Sequence, residues 1–257
     1  MAYVSSAESL RADLGAAMAG VGGGLAAADR LCNACVELLS VDGAAISIMH
    51  RGITSGTFGS SGAWSRRLDE MQFTTGEGPC IDAVSQGRPI LVADLADRRQ
   101  PQWPAFTGAA LDSGVCAVFA LPIAVATSHI GALDLFRRTP GALSANDLDG
   151  GLLAAELAAL PLLDVIASNV GWDAGPRGDD GWDELATLQR VEVYQATGMV
   201  MASLDVDAAE ALVRIRAYAF ANDLGAGEVA ARIVARRLVL PDDTSWQTDI
   251  DRGRSYD

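Results

Sequence analysis

One stretch constrains this chain more than any other, because no regular element can cross it. Gly171-Trp-Asp-Ala-Gly-Pro-Arg-Gly-Asp-Asp-Gly181 places four glycines and a proline within 11 residues. In a helix interior glycine costs about 1 kcal/mol and proline about 3 kcal/mol relative to alanine. The stretch therefore reads as a linker, and the chain of 257 residues divides into a larger part before it and a smaller one after it. Charge does not mark the same boundary: residues 1–170 carry 10 arginines against 17 acids, and residues 171–257 carry 9 against 16. The division rests on glycine and proline alone. It yields a helical segment at 1–23, a first domain at 24–170, the linker at 171–181, a second domain at 182–240 and a polar, acidic tail at 241–257.

The first domain mixes helix and strand. Ala26 to Leu39 has the period of an amphipathic helix and stops at the turn-forming Asp42-Gly43. Ala45 to Met49 is a short β-rich run, with Thr57 to Ser60 as its partner. The chain must turn tightly at Thr75-Gly-Glu-Gly-Pro-Cys80 before a short helix, Cys80 to Ser85. A strand at Ile90 to Val92 and a helix near Trp103 to Leu111 follow. Two apolar strands, Cys116 to Val125 and Ile130 to Arg137, flank the turn Thr127-Ser128-His129 and form a buried antiparallel pair. A long helix then runs from Ser144 to about Val170, opened by a capping box of Ser144 and Asp147. The order predicts an α+β domain built on one antiparallel sheet.

The second domain is all helical: Trp182 to Leu204, Asp207 to Leu224 and Gly227 to Leu238, with Asp207 and Glu210 as a capping box on the second. Leu212, Ile215 and Ala219 fall on one face of the second helix, and Val229, Ile233 and Leu238 on one face of the third. Three helices in so short a segment make a small bundle whose core is marginal. A partner surface or a second copy is expected to complete it.

Charge excludes several chemistries. All 19 basic residues are arginine, because the sequence contains no lysine. That removes the phosphate-gripping lysine of P-loops, Schiff-base lysines and the strand lysine of kinases. The net charge of −14 makes the chain a poor nonspecific binder of nucleic acid or of anionic membranes. The longest apolar run, Val115 to Ala126, contains Pro122 and falls short of the ~20 residues a spanning helix needs. No membrane segment or signal peptide is expected, and the default compartment is the cytoplasm, with Cys32, Cys35, Cys80 and Cys116 reduced.

At this point a resemblance enters. Arg190-Val-Glu-Val193-Tyr-Gln-Ala196-Thr-Gly198-Met-Val-Met201 resembles the first-helix signature of ANTAR domains, the three-helix RNA-binding modules of bacterial transcription antiterminators. Glu210-Ala211-Leu212 through Ile215-Arg216 resembles their second helix, and Glu228-Val229-Ala230 their third. The first domain, about residues 24–165, resembles a GAF domain, a ligand-sensing fold, on its element order and on Gly76-Glu-Gly-Pro-Cys80 and Pro89-Ile-Leu-Val-Ala-Asp94. The combination resembles a class of actinobacterial regulators. It implies a GAF-like sensor for an unidentified small-molecule ligand, a homodimer, and an ANTAR-like module that grips paired RNA hairpin loops. It leaves any cofactor unidentified and implies no catalytic residue. Thr197 stands where the family usually has lysine, which removes a cationic contact to phosphate.

The residues suggest where RNA would be met. Arg190 and Tyr194, four apart, share a helix face, which Thr197 and Met201 continue. Arg216 and Tyr218 extend the set on the next helix, and Arg232 and Arg236 form an i,i+4 pair on the third. Arginine for phosphate and aromatics for stacking suit exposed RNA loops. Yet residues 183–240 carry 6 arginines against 8 acids, unlike the usual basic footprint. A solvated face with Tyr194 half buried is the alternative, and so is a protein-binding module. Ala196, Gly198 and Met201 are expected to pack against neighbouring helices, Gly198 being kept in a helix for a close approach.

In the first domain Cys32-Asn-Ala-Cys35 is a lone CxxC inside an apolar helix face, read as core. With only His50 and His129 available, no metal site is expected. Cys80 follows Gly-Glu-Gly-Pro at a helix N-terminus, where the dipole lowers a thiol's pKa. It is either a buried structural cysteine or, with Cys116, a pocket thiol of a redox sensor or of a GAF protein that reduces free methionine sulfoxide. Phosphorylation of the receiver type is excluded because it needs a lysine.

Overall fold

The computed structural model describes residues 2–20, 24–50, 53–97, 102–169 and 191–241. The expected linker at 171–181, residues 182–190 including Arg190, and nearly all of the 241–257 tail lie outside the described residues. The chain divides into two compact units, Met1–Gln189 and Arg190–Asp257.

Five strands of the first unit form one antiparallel sheet: β1 (Gly43–His50), β2 (Ile53–Ser60), β3 (Ile90–Val92), β4 (Ala117–Val125) and β5 (Ser128–Arg137), in the order β2-β1-β5-β4-β3. The central pairings set Ile46 opposite Leu133 and Leu121 opposite Leu133. Both faces of the sheet are covered, so the central strands read as almost continuous apolar runs. Among the described residues six helices do the covering: α1 (Ala2–Met18), α2 (Gly24–Leu38), α3 (Ala63–Thr75), α4 (Pro79–Gln86), α5 (Pro104–Asp112) and α6 (Ala145–Asn169).

The strand alternation sorts two cores. On one face Phe58, Phe119, Leu121, Ile123, Leu133 and Leu135 pack against α1, α2 and α6, with Cys32 and Cys35 fully buried among them. On the other, Val118, Ala120 and Phe136 meet Leu68 of α3, Ala83 of α4 and Phe106 of α5. The α+β fold and its antiparallel sheet are as the sequence predicts. α3 is the exception. Its Ser-, Arg- and Thr-containing sequence lacks a plain apolar stripe, and it forms because Leu68 and Phe73 are buried while Asp69 and Gln72 find buried polar partners.

Ser144 caps α6, accepting from the Asp147 amide at 3.1 Å, but the Asp147 carboxylate does not close the expected box. Its oxygens take the Ser144 hydroxyl at 2.8 Å and the Ser40 amide at 3.1 Å, fastening the helix start to the chain after α2. Burial pushes the Asp147 carboxyl up, but those bonds and the Arg137 guanidinium outweigh it and hold it below the usual carboxylate range.

The second unit contains α7 (Val191–Leu204), α8 (Ala208–Ala221) and α9 (Ala226–Val234). Val193, Ala196 and Val200 meet Ala211, Ile215 and Ala219 and Val229, Ala230 and Ile233 in a core built largely of alanine and valine. Asp207 caps α8, its side chain accepting from the Glu210 amide, while the Glu210 carboxylate turns to Arg214 at 2.7 Å rather than back to the cap. α8 and α9 end three and four residues earlier than the sequence suggests. Asp223 and Arg236 adopt left-handed conformations, and the following amides of Leu224 and Arg237 reach back to Ala219 and Arg232, which closes each helix.

Candidate functional site

The turn between α3 and α4 builds the most unusual site in the first unit. Gly76 ends α3 in the left-handed region at φ 73°, and Gly78 precedes α4 at φ 149°, a conformation that side chains rarely adopt. A Cβ on Gly78 would stand 2.3 Å from Gln72 Oε1, so the glycine also leaves room for Gln72. Pro79 occupies the first turn of α4, where its missing N–H is harmless. Glu77 between the glycines accepts from the amides of Ala105 and Phe106, at 2.7 and 3.1 Å. It supplies the cap that α5 lacks, since Trp103 stands at the N-cap in a left-handed conformation without a capping side chain.

Gln72, thus seated, joins α3, α4 and β5. Its Nε2 donates to Asp134 Oδ2 at 2.5 Å and its Oε1 accepts from the Cys80 amide at 2.8 Å. Thr57 donates to Asp69 Oδ2 at 2.5 Å, and Ser47 donates to Asp69 Oδ1. The Cys80 thiol donates to Ser47 Oγ at 3.3 Å. Ser47, Asp69, Gln72, Cys80 and Asp134 are all buried. Among the described residues Asp134 Oδ1 has no hydrogen-bond partner, and leaving a buried acceptor unpaired costs about 1–3 kcal/mol.

Among the described residues no cation is found acting on Asp134 or Cys80. Burial first, then Asp69, push the Asp134 carboxyl well up, against the pull of Gln72. Burial, then Asp134 and Asp69, push the Cys80 thiol well above its ordinary range, and the Ser47 hydrogen bond opposes them only in part. The helix dipole therefore does not make Cys80 a low-pKa thiol, as its place at the start of α4 suggested; desolvation and two acids win. Cys80 and Cys116, the latter half-buried, stand in different surroundings. Cys80 packs on Met49 and Ala132, whereas the Cys116 amide bonds the Arg137 carbonyl, five residues further along β5. The Cys32 and Cys35 thiols are core, as expected, with Cys35 pushed up to about 12 by burial.

Donor atoms of Asp69, Cys80 and Asp134 lie within 4.8 Å of one another, a spacing that a single metal ion can bridge. The sequence reading missed Ser47, Asp69, Gln72 and Asp134. One signal was available for Asp134, an acid in the apolar run Gly131-Ala-Leu-Asp-Leu-Phe136, where a period of two places it with Ala132 and Phe136 on a covered face. A separate pocket of about 230 Å³ lies at the β3 edge, lined by residues that include Leu91, Asp94, Asp97, Gln102, Trp103 and Thr107.

In the second unit the expected RNA-contact residues fare unevenly. Tyr194 is 56 % exposed on α7 rather than half buried. Thr197 is half-buried and donates to the Val193 carbonyl at 2.7 Å. Arg216 and Tyr218 are also half-buried. The expected Arg232–Arg236 pair does not exist, since α9 ends at Val234 and Arg232 binds Glu228 at 2.5 Å. Of the three expected packing residues only Ala196 is buried. Gly198 lies on the outward side of α7 and Met201 on its flank, 37 % exposed, and among the described residues a Cβ on Gly198 would meet nothing within 4 Å.

Comparison with solved structures places the first unit. The GAF domain of a phosphoenolpyruvate-protein phosphotransferase from Coxiella burnetii is similar at 14 % identity and a TM-score of 0.52, covering 64 % of this chain and 97 % of that one. A domain of a putative two-component sensor histidine kinase from Sinorhizobium meliloti is similar at 16 % identity, TM-score 0.45, with 56 % and 92 % covered. A free methionine-R-sulfoxide reductase from Thermoplasma acidophilum is similar at 16 % identity, TM-score 0.41, with 52 % and 88 % covered. Among curated proteins no sequence matches. The first of these likenesses establishes the fold, and the family model for the GAF domain matches residues 26–160, more than half of the sequence. The sheet, the helices on its two faces and this match together place the chain in the GAF domain family.

Proposed function

We propose that the protein is an RNA-binding transcriptional regulator of the antiterminator type, in which the GAF unit senses a small molecule and the three-helix unit binds RNA hairpin loops as a homodimer in the cytoplasm. The observation that carries this reading is Tyr194. An aromatic ring 56 % exposed on α7, while Val193, Ala196 and Val200 fill the core beneath, offers a stacking platform that the bundle itself does not use. The buried positions also agree with the ANTAR resemblance, whose aliphatic and alanine positions fall on Val193 and Ala196. The pocket at the β3 edge, at about 230 Å³, suits a ligand smaller than the drug-sized molecules that fill 300–1,000 Å³ sites. No catalytic residue is assigned.

Titration of the full chain with single and paired RNA hairpins at two salt concentrations tests the reading. Saturable, loop-dependent binding that weakens with salt, and that falls at least tenfold in Tyr194→Ala and Arg190→Ala with the fold retained, supports it. Absence of RNA binding in every state of the chain rejects it.

A second reading has its own observation. Val213, Phe220 and Val239 are 50–77 % exposed, and Arg214 and Arg232 are engaged by Glu210 and Glu228 on their own helices. Such a surface suits a protein partner better than a phosphate backbone. Salt-insensitive association with a protein, without RNA binding, marks that case.

A further inference from the structure

We propose that Asp69, Cys80 and Asp134 form a closed binding site for one borderline divalent transition-metal ion, of which Zn²⁺ is the type. Three elements contribute one donor each: α3 gives Asp69, α4 gives Cys80 and β5 gives Asp134. Around a tetrahedral zinc, with Zn–O about 2.0–2.2 Å and Zn–S about 2.3 Å, neighbouring donors stand about 3.5 Å apart. The three donor atoms here already lie within 4.8 Å of one another, so small side-chain adjustments close the site. Ser47 Oγ, hydrogen-bonded to both Cys80 and Asp69, is a neutral oxygen within the same group.

Two observations beyond the spacing point to an ion. The first is the orphaned Asp134 Oδ1, buried without a partner on the same carboxyl group that faces Asp69 and Cys80. The second is the charge balance, since among the described residues the groups acting on Cys80 and Asp134 are acids and hydrogen-bonding side chains, with no arginine or histidine among them. Buried acids ordinarily pair with a cation or coordinate a metal. The mixed oxygen and sulfur donor set suits zinc or cobalt and disfavours magnesium or calcium, which take oxygen alone.

The surrounding bonds are those of an outer shell. Thr57 orients Asp69 through its second oxygen, and Gln72 orients Asp134 while holding the Cys80 amide. Binding requires the Cys80 thiolate, so the ion displaces the thiol proton to solvent and affinity rises with pH. The ion would tie α3 and α4 to the centre of the sheet. This runs against the sequence expectation of no metal site, which looked for histidines and paired cysteines in one segment. It stands apart from the RNA reading, since its test reads metal content and needs no nucleic acid.

The full chain, refolded with and without Zn²⁺ and then desalted, is assayed for bound metal and titrated with Co²⁺. The expected result is one equivalent of zinc per chain, and with cobalt a thiolate-to-metal charge-transfer band. Cys80→Ser abolishes the band, whereas Cys32→Ser, Cys35→Ser and Cys116→Ser keep it. Asp134→Asn, which preserves shape, and Gln72→Ala weaken binding by at least ~10-fold. A folded wild-type chain that retains no zinc and gives no cobalt band overturns the proposal and leaves protons as the occupants of the cluster. A band that survives Cys80→Ser overturns it too, since the ion then lies elsewhere. Because the first of these readouts uses the unaltered chain, a Cys80 variant that fails to fold does not protect the idea.

Discussion

The two faces of the sheet solve the same problem with different chemistry. Beneath α1, α2 and α6, burial is apolar, and even the two cysteines there act as small hydrophobes. Beneath α3, α4 and α5 a comparable apolar core is interrupted by Ser47, Asp69, Gln72, Cys80 and Asp134. Two acids make the contrast concrete. Asp147, at the edge of the first face, has enough donors to hold its carboxyl below the usual range, while Asp134, under the second, is pushed well above it. Burial alone thus does not decide what a carboxyl or a thiol does; the donors and charges beside it do. One face is specified by shape, the other by a hydrogen-bond network that shape alone would not select.

The largest test of this contrast is Phe119→Ala, which empties a fully packed site on the first face. Unfolding in denaturant should show a loss of about 3–5 kcal/mol, with the hidden Cys80 thiol as unreactive as before. Gly78→Ala attacks the second face through its backbone. Strain at φ 149° and collision with Gln72 should cost about 2 kcal/mol. Alkylation of Cys80 in native conditions should become measurable as Gln72 gives way; an unchanged Cys80 with unchanged stability would show that the network does not depend on that turn. Glu77→Ala removes the borrowed cap of α5 and should lower stability by about 1 kcal/mol.

The smallest effect separates charge from shape. Asp147→Asn should cost up to about 1 kcal/mol near neutral pH and nothing in acid. The sign follows from the depressed carboxyl: its stabilisation is present above the ordinary carboxylate range and is lost as pH falls through the folded value. Thermal unfolding of wild type and variant across that range should show two curves that converge at low pH.

Much of the fold was legible because alternation along β4 and β5 and the helical period of α2, α6 and α8 are carried by the side chains that fill the cores. The Gly76-Glu-Gly-Pro-Cys80 turn was legible too, since a left-handed cap, an open N-cap and a proline at the first helical turn all have local signatures. α3 was not, because its polar residues are buried by partners far away in sequence: Asp69 by Ser47 and Thr57, Gln72 by Asp134. The Ser47–Asp69 and Gln72–Asp134 bonds span 22 and 62 positions, beyond any window in which helical or strand periodicity is read. The polar cluster was hidden for the same reason. In the second unit the misplaced helix ends came from Asp223 and Arg236, residues that tolerate the left-handed conformation here without being the glycine that usually announces it.

The carboxylate of Glu77 has one more consequence, in the dynamics of the native state. α5 cannot satisfy the amides of its own first turn, and the acceptor that does so lies 28 residues upstream of Ala105. The start of α5 and the turn joining α3 to α4 therefore open together as one cooperative unit. In hydrogen exchange the Ala105 and Phe106 amides should share the protection of that distant turn instead of fraying as an ordinary helix terminus does.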